Sequence, residues 1–235
     1  MERKLPNFKE LEKIIGVEFR DPMLLRQACT HRSYINENKS SGLSHNERLE
    51  FLGDAVLELV ITDFLYKEYD KKAEGELTAY RSALVNADTC ANIATSLSIN
   101  DYLLLSKGES KDTGRARQYI LANALEALIG AIYLDQGYDS AKVFIENNFT
   151  PLIHKIISDG AFIDSKSLFQ EKAQEFESVT PSYKTVKETG PDHEKKFTVG
   201  VYIGKELIAT GEGKSKQDAE QIAAREALTK KGWGN

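Results

Sequence analysis

Cysteine is almost absent from this chain. Cys29 and Cys90 are the only two in 235 residues, and their separation suits neither a redox pair nor a metal knuckle. With four His and no clustered ligands, zinc is not expected. The two thiols read as buried or idle groups of a protein kept in a reducing cytoplasm. Long apolar runs are missing too: no stretch approaches the roughly 18 consecutive residues that a membrane span requires. The segment Met1-Glu2-Arg3-Lys4-Leu5-Pro6 has no apolar stretch of the kind a secretory signal carries. Excess positive charge is also lacking. The net charge is −5, from 31 Lys+Arg against 36 Asp+Glu, which taken alone argues against a nucleic-acid binder. The charge is unevenly spread. Residues 165–235 hold 12 basic and 11 acidic side chains (net +1), whereas residues 1–164 hold 19 and 25 (net −6). Local patches, not the total, decide phosphate binding.

Strand-type alternation is absent from the first two-thirds. Apolar residues recur at helical spacing over Phe8–Ile15, Pro22–Thr30, Glu47–Tyr69, Glu76–Ser96, Tyr119–Leu134 and Ser140–Ile157. Asp21-Pro22 and Asp139-Ser140 read as helix starts and Gly137 as a stop. Loops are expected at Asn36–His45, Asp70–Gly75 and Lys107–Arg117. After residue 157 the pattern changes. A helix over Ser167–Phe176, with Leu168, Phe169, Ala173 and Phe176 inward, precedes strands at Tyr183–Lys187, Lys196–Ile203 and Leu207–Gly211. A last helix runs from about Ser215 to Lys230, with Ser215 and Asp218 as a capping box. The expected organisation is an all-α domain over 1–157, a linker over 158–164, and an α-β-β-β-α unit of the α+β class over 165–235.

The sharpest local signal is Asn46-Glu47-Arg48-Leu49-Glu50-Phe51-Leu52-Gly53-Asp54-Ala55-Val56. At about 100° per residue, Glu47, Glu50 and Asp54 share an arc of roughly 60°. Leu49, Leu52, Val56, Leu59 and Val60 lie opposite. Such a stripe is commonly just the solvated side of an amphipathic helix. It also lacks basic partners in register, and a divalent cation would offset the repulsion. Two details favour a site. Gly53 costs about 1 kcal/mol relative to Ala in mid-helix, which a close approach by another backbone or ligand would explain, and Phe51 projects on the acidic side, where an aromatic suits a partner surface better than solvent.

With Thr30-His31-Arg32-Ser33-Tyr34, the Asn46–Asp54 motif, Glu74-Gly75 and Ile120-Leu121-Ala122-Asn123-Ala124-Leu125-Glu126-Ala127 in this order and spacing, the chain resembles bacterial ribonuclease III over nearly its whole length. The tail resembles a double-stranded RNA-binding domain through Gly190-Pro191-Asp192-His193, Lys196-Phe197 and Gly211-Glu212-Gly213-Lys214-Ser215-Lys216. The resemblance implies a homodimeric phosphodiester hydrolase of double-stranded RNA that uses Mg²⁺, with Mn²⁺ as a substitute. It implies 5′-phosphate and 3′-hydroxyl ends, short 3′ overhangs, and structured precursors such as ribosomal RNA as substrates. By the same resemblance Glu50, residue 123 and Glu126 ligate metal. Asp54 and Glu126 carry catalysis, Glu47 and Glu74 are accessory acids near RNA or metal, and Phe51 lies at the dimer interface. Asn123 departs from the commoner Asp. Its carbonyl oxygen can still face a cation but lacks the charge, so weaker affinity with retained geometry is expected. A non-catalytic RNA-binding relative is the rival reading, favoured only by Asn123.

In the tail, Lys214 and Lys216 flank a helix N-terminus, an arrangement suited to phosphates across the RNA major groove. Gln217 and Glu220 stand where many such domains have Lys, which thins the basic patch. Ser167, Gln170, Glu171 and Gln174 share one helix face and can reach 2′-hydroxyls, and His193 would enter a second minor groove of a site spanning about 16 base pairs. Any one of these reads as an ordinary polar surface residue, and for a lone Lys that reading usually wins; their joint spacing is the signal. Lys107, Arg115 and Arg117 form a basic loop, either solvated or against RNA backbone. Gly213-Lys214-Ser215 imitates the end of a nucleotide-binding loop, but Ile208 occupies the required first Gly, so no nucleotide cofactor is expected.

Overall fold

A computed structural model of the chain describes residues 5–158, 165–191 and 195–233. They form two compact units, one within residues 1–162 and one within 163–235.

The first unit is helical: α1 (Phe8–Ile15), α2 (Pro22–Ala28), α3 (Arg32–Glu37), α4 (Glu47–Glu68), α5 (Glu74–Leu84), α6 (Ala87–Ser96), α7 (Arg115–Gln136), α8 (Tyr138–Phe149) and α9 (Ile153–Ser158), with short 3₁₀ turns between some of them. The centre is α7. Its buried residues, from Ile120 to Ile132, take up most of its circumference, as a helix packed on several sides requires. Helices α2, α4, α6 and α8 surround it. The closest packing is with α4, where two glycines meet. A Cβ on Gly53 would fall 1.7 Å from the Glu126 carbonyl oxygen, and one on Gly130 would fall 2.2 Å from the Leu49 carbonyl oxygen. The two backbones touch, which accounts for a glycine in mid-helix.

Several expected boundaries are corrected. The stretch 76–96 is two helices, because Asn86 leaves the helical region and its side chain caps α6 by accepting the Thr89 N–H at 2.8 Å. The helix expected to start at Asp139-Ser140 begins at Tyr138: Gly137, at φ +88°, ends α7 and directly starts α8. Pro151 breaks the stretch after Phe149 into a 3₁₀ turn and α9. Part of the loop assigned to Asn36–His45 belongs to α3, whose start His31 caps. Asp21 does cap α2, accepting the Met23 N–H.

The buried arc of α4 is rotated toward the acids relative to the expected one. It runs through Val56, Leu49, Val60, Gly53, Leu57 and Ile61. Leu59, expected inside, is 57 % exposed, because the apolar residues on the far margin of the stripe are left outside the α7 contact. Phe51 (81 %) and Tyr66 (72 %) continue this strip along the helix.

The second unit is α10 (Ser165–Glu177), the antiparallel sheet β1–β2–β3 (Ser182–Thr189, Lys196–Ile203, Glu206–Gly213) and α11 (Lys216–Lys231). Val201, Ile203 and Ile208 of the sheet bury Phe169 and Ala173 of α10 and the alanine face of α11. Gly211 and Gly213 let α11 approach β3: a Cβ on Gly211 would lie 2.3 Å from the Ala223 nitrogen. Phe176, expected inward, is 58 % exposed and stacks on Trp233 with ring centroids 5.5 Å apart. The capping box is shifted by one residue: Ser215 Oγ accepts the Asp218 N–H, while the Asp218 carboxylate accepts the N–H of Lys214, not of Ser215.

Candidate active site and RNA-binding face

The site is assembled by the α4–α7 seam. The start of α4 is pinned from outside the helix: the Asn46 N–H donates to Thr30 O (2.9 Å), and Asn46 Nδ2 donates to Ala28 O (3.1 Å). The Thr30–Tyr34 segment is in turn tied to residues 104–106. His31 N donates to Leu104 O at 3.0 Å, and Ser33 Oγ, 2.8 Å from His31 Nδ1, accepts the Ser106 N–H at 3.1 Å. Glu50 and Asp54 stand one turn apart on α4, on either side of Gly53. Asn123 and Glu126 lie one turn apart on α7, and the carbonyl of Glu126 is the group that meets Gly53. A main-chain contact thus sets the separation between the two halves of the site.

The electrostatics follow from this proximity. Burial, then Asp54 and Glu50, pushes the Glu126 carboxyl up to about 7. Burial, then the nearby charges of Glu47 and Asp54, also raise Glu50, while the neighbouring Asn123 carboxamide opposes the rise. Cys90, fully buried and also near Glu126 and Asp54, is pushed up to about 12, chiefly by burial, and stays an inert thiol. Among the described residues, no basic side chain pairs with Glu50, Asp54 or Glu126, and no three His, Cys, Asp or Glu side chains already converge as metal ligands.

The two accessory acids stand apart. Glu47 is not unpartnered: Arg32 Nη1 lies 3.1 Å and His45 Nδ1 3.7 Å from its carboxylate. Both partners come from segments preceding α4, so helical spacing gave no sign of them. Glu74 opens α5 and accepts the Thr78 hydroxyl at 3.0 Å; no described contact brings it to the other acids. Phe51 borders an open depression of about 660 Å³ lined by Leu24, Gln27, His45, Leu52 and Leu134, among others. In the basic loop, Arg117 is committed to the protein, with Nη2 donating to Glu109 O (2.9 Å) and Nε to Asp112 O (3.1 Å). Arg115 lies over the Tyr119 ring, and Lys107 is exposed.

In the second unit Ser167, Gln170, Glu171 and Gln174 line one shallow depression on α10. Lys214 is exposed just before α11. Lys216 is the first residue of that helix, but its ammonium is 3.0 Å from Glu188 and lies over the Phe197 ring. Glu220, in a position often basic in such domains, pairs with Lys166 at 2.5 Å. His193 lies outside the described residues. No described helix is long and apolar enough to cross a membrane.

Both units match known protein families. Residues 21–153 match the ribonuclease-III-like family and residues 165–231 the double-stranded RNA binding motif. Ribonuclease 3 of Borreliella burgdorferi is 47% identical over 227 residues, covering 97% of this chain and 92% of that protein. Ribonuclease 3 of Enterococcus faecalis is 46% identical over 222 residues, covering 93% and 95%. The solved nuclease domain of ribonuclease III from Campylobacter jejuni, described with flexibility in a region involved in dimer formation, superposes with a TM-score of 0.55 at 45% identity. It covers 61% of this chain and 99% of that one. With a helical nuclease unit that brings acids together across two touching helices, followed by a double-stranded RNA-binding motif, the chain belongs to the ribonuclease III family of endoribonucleases.

Proposed function

We propose that this protein is a Mg²⁺-dependent endonuclease of double-stranded RNA, with Mn²⁺ as a substitute ion. It would leave 5′-phosphate and 3′-hydroxyl ends with short 3′ overhangs and process structured precursors such as ribosomal RNA. The observation that carries the reading is the gathering of Glu50, Asp54 and Glu126 across a backbone-to-backbone helix contact, with no described cation to neutralise them. Repelling one another without a described basic partner, the three acids are a liability to the fold and useful only where positive charge arrives. The donor set suits Mg²⁺: carboxylates and the Asn123 amide oxygen are hard oxygen ligands, with no sulfur or imidazole among them. When bound, Mg²⁺ supplies Lewis-acid polarisation of the scissile phosphate and activation of water.

The protein's own residues do the rest. Glu50, Asn123 and Glu126 would hold the ion, and Asp54 would orient the attacking water. Glu126, with its carboxyl near 7, is within reach of exchanging a proton at neutral pH. Glu47, balanced between Arg32 and His45, sits at the margin of the site and fits an outer role toward RNA. Glu74 would have that role only through substrate or a partner subunit. The second unit would read duplex shape through the α10 face, His193 and the exposed Lys214.

A homodimer fits the apolar strip of Phe51, Leu59 and Tyr66. In a two-fold pair the same surface meets itself, so each Phe51 can enter the depression beside Leu24 and Leu134 on the partner. Domain limits of 1–157 and 165–235, a linker over 158–164 and a cytoplasmic setting complete the proposal. The test is labelled duplex RNA incubated with the full chain in Mg²⁺ or in chelator. Cleavage in Mg²⁺ alone is expected. Binding in both without cleavage would instead make the protein a binding relative disabled by Asn123.

A further inference from the structure

We infer that Glu188 is an internal competitor for RNA: its carboxylate stands between the Lys195 and Lys216 ammonium groups, where the second unit would otherwise hold a duplex phosphate, and it thereby sets how tightly duplex is bound. The inference rests on the reading of this unit as a binder of double-stranded RNA.

The sheet brings these groups together. Glu188 of β1 pairs in register with Phe197 of β2, and Phe197 pairs with Gly213 of β3, so the three stand in one row. Residues directly opposite one another share a face of the sheet. Gly213 ends the row without a side chain. A Cβ there would lie 2.5 Å from the Ala219 nitrogen, so the first turn of α11 comes down onto the sheet at this point. Lys216, the first residue of α11, has its ammonium 5.6 Å from the Phe197 ring centroid and 3.0 Å from Glu188 Oε1. Glu188 Oε2 lies 3.5 Å from Lys195 Nζ. Each carboxylate oxygen thus faces one ammonium, beside a helix N-terminus that itself favours negative charge. These are the partners that a phosphate needs. The pair with Lys216, above all, holds the Glu188 carboxyl below its ordinary value, so the competing charge is present at neutral pH. Glu188 and a phosphate cannot both have Lys216. A lone phosphate exchanges one ion pair for another and gains little. A duplex that also meets the α10 face and the exposed Lys214 gains more.

The experiment measures binding of a labelled RNA duplex longer than about 16 base pairs to the full chain, in EDTA and over a series of KCl concentrations. The proteins are wild type, Glu188→Gln, Lys216→Ala, the double variant and Glu177→Gln. The last is the control: it removes the same charge from the same unit, but from a 2.7 Å pair with Lys231 at the other end of α11. We expect Glu188→Gln to bind about three- to tenfold tighter than wild type, with a salt slope steeper by up to about one. Glu177→Gln should change affinity by less than about twofold. The gain from Glu188→Gln should fall below about twofold in the Lys216→Ala background. Equal or weaker binding by Glu188→Gln would overturn the inference. So would a gain matched by Glu177→Gln, which marks overall charge, or one undiminished without Lys216, which marks plain repulsion. Duplex binding by none of these proteins would remove the RNA-binding reading, and the inference with it.

Discussion

Replacing Glu126 with Gln should stabilise the metal-free protein, and should do so only at neutral to alkaline pH. Glu126 titrates near 7 in the folded chain against an ordinary value of 4.5. A carboxyl raised in the native state binds its proton more tightly there than in the unfolded chain. Below about pH 4.5 it is protonated in both states and costs nothing; as pH rises toward 7 the unfolded chain ionises freely while the native one must charge a crowded site. Native stability therefore falls over that window and levels off above it. At 1.36 kcal/mol per pH unit, the shift sets an upper limit of about 3 kcal/mol. Part of the side chain is open to solvent and the charge is shared with Asp54 and Glu50, so about 1–3 kcal/mol is the working figure. Gln keeps the shape and cannot ionise. In EDTA at pH 8, Glu126→Gln should melt higher by about 2–4 °C for each kcal/mol recovered, and the gap should shrink toward zero at pH 5. Saturating MgCl₂ should reverse the order, because only wild type gains RT ln(1 + [L]/Kd) from a ligand it retains. A Glu126→Gln protein no more stable than wild type at pH 8, or a gap independent of pH, would refute the account of the site as a repulsive cluster.

Phe51→Ala should weaken dimerisation. At about 2 kcal/mol for each buried aromatic and two copies per dimer, the dissociation constant should rise roughly a thousand-fold by sedimentation; an unchanged dimer would remove Phe51 from the interface. Gly53→Ala should destabilise despite the better helix propensity of Ala, because its Cβ would stand 1.7 Å from the Glu126 carbonyl oxygen. A lower Tm together with a lost response to Mg²⁺ is expected, and a stabilised variant would contradict the backbone contact. Lys214→Ala should weaken duplex RNA binding evenly across sequences and reduce the salt slope by about one, whereas Lys216→Ala should do less, because Lys216 is already engaged by Glu188.

The parts of the structure legible in the sequence are those with local causes. The acidic stripe, Gly53 as the mark of a close approach, the switch from helical to alternating pattern after residue 157, and Phe51 on an outer face are all properties of short windows. What escaped has distant causes. Arg32 and His45 reach Glu47 from segments preceding α4, and no helical periodicity connects them. The rotation of the buried arc of α4, which exposes Leu59, is imposed by the whole of α7. The break at Asn86 was hidden because the apolar period runs on across it; the cap itself, Asn86 followed three residues later by Thr89, was readable. Arg117, by composition either solvated or against RNA backbone, instead braces its own loop with its guanidinium.

The meeting of Gly53 and Gly130 fixes more than a distance. Two helices whose main chains already touch have no inward travel left, and outward travel opens a void along the buried length of α7. The seam is thus a hard stop, and the only dimension in which this site can be tuned is side-chain length. Asp54 is one methylene shorter than Glu50 and Glu126, and Asn123 matches Asp54 in reach. Exchanging Asp54 for Glu, or Glu126 for Asp, would move a carboxylate by about 1.5 Å in a frame unable to follow. Preference among cations of different radius should therefore respond more sharply to such exchanges than to any repacking of the apolar residues behind them.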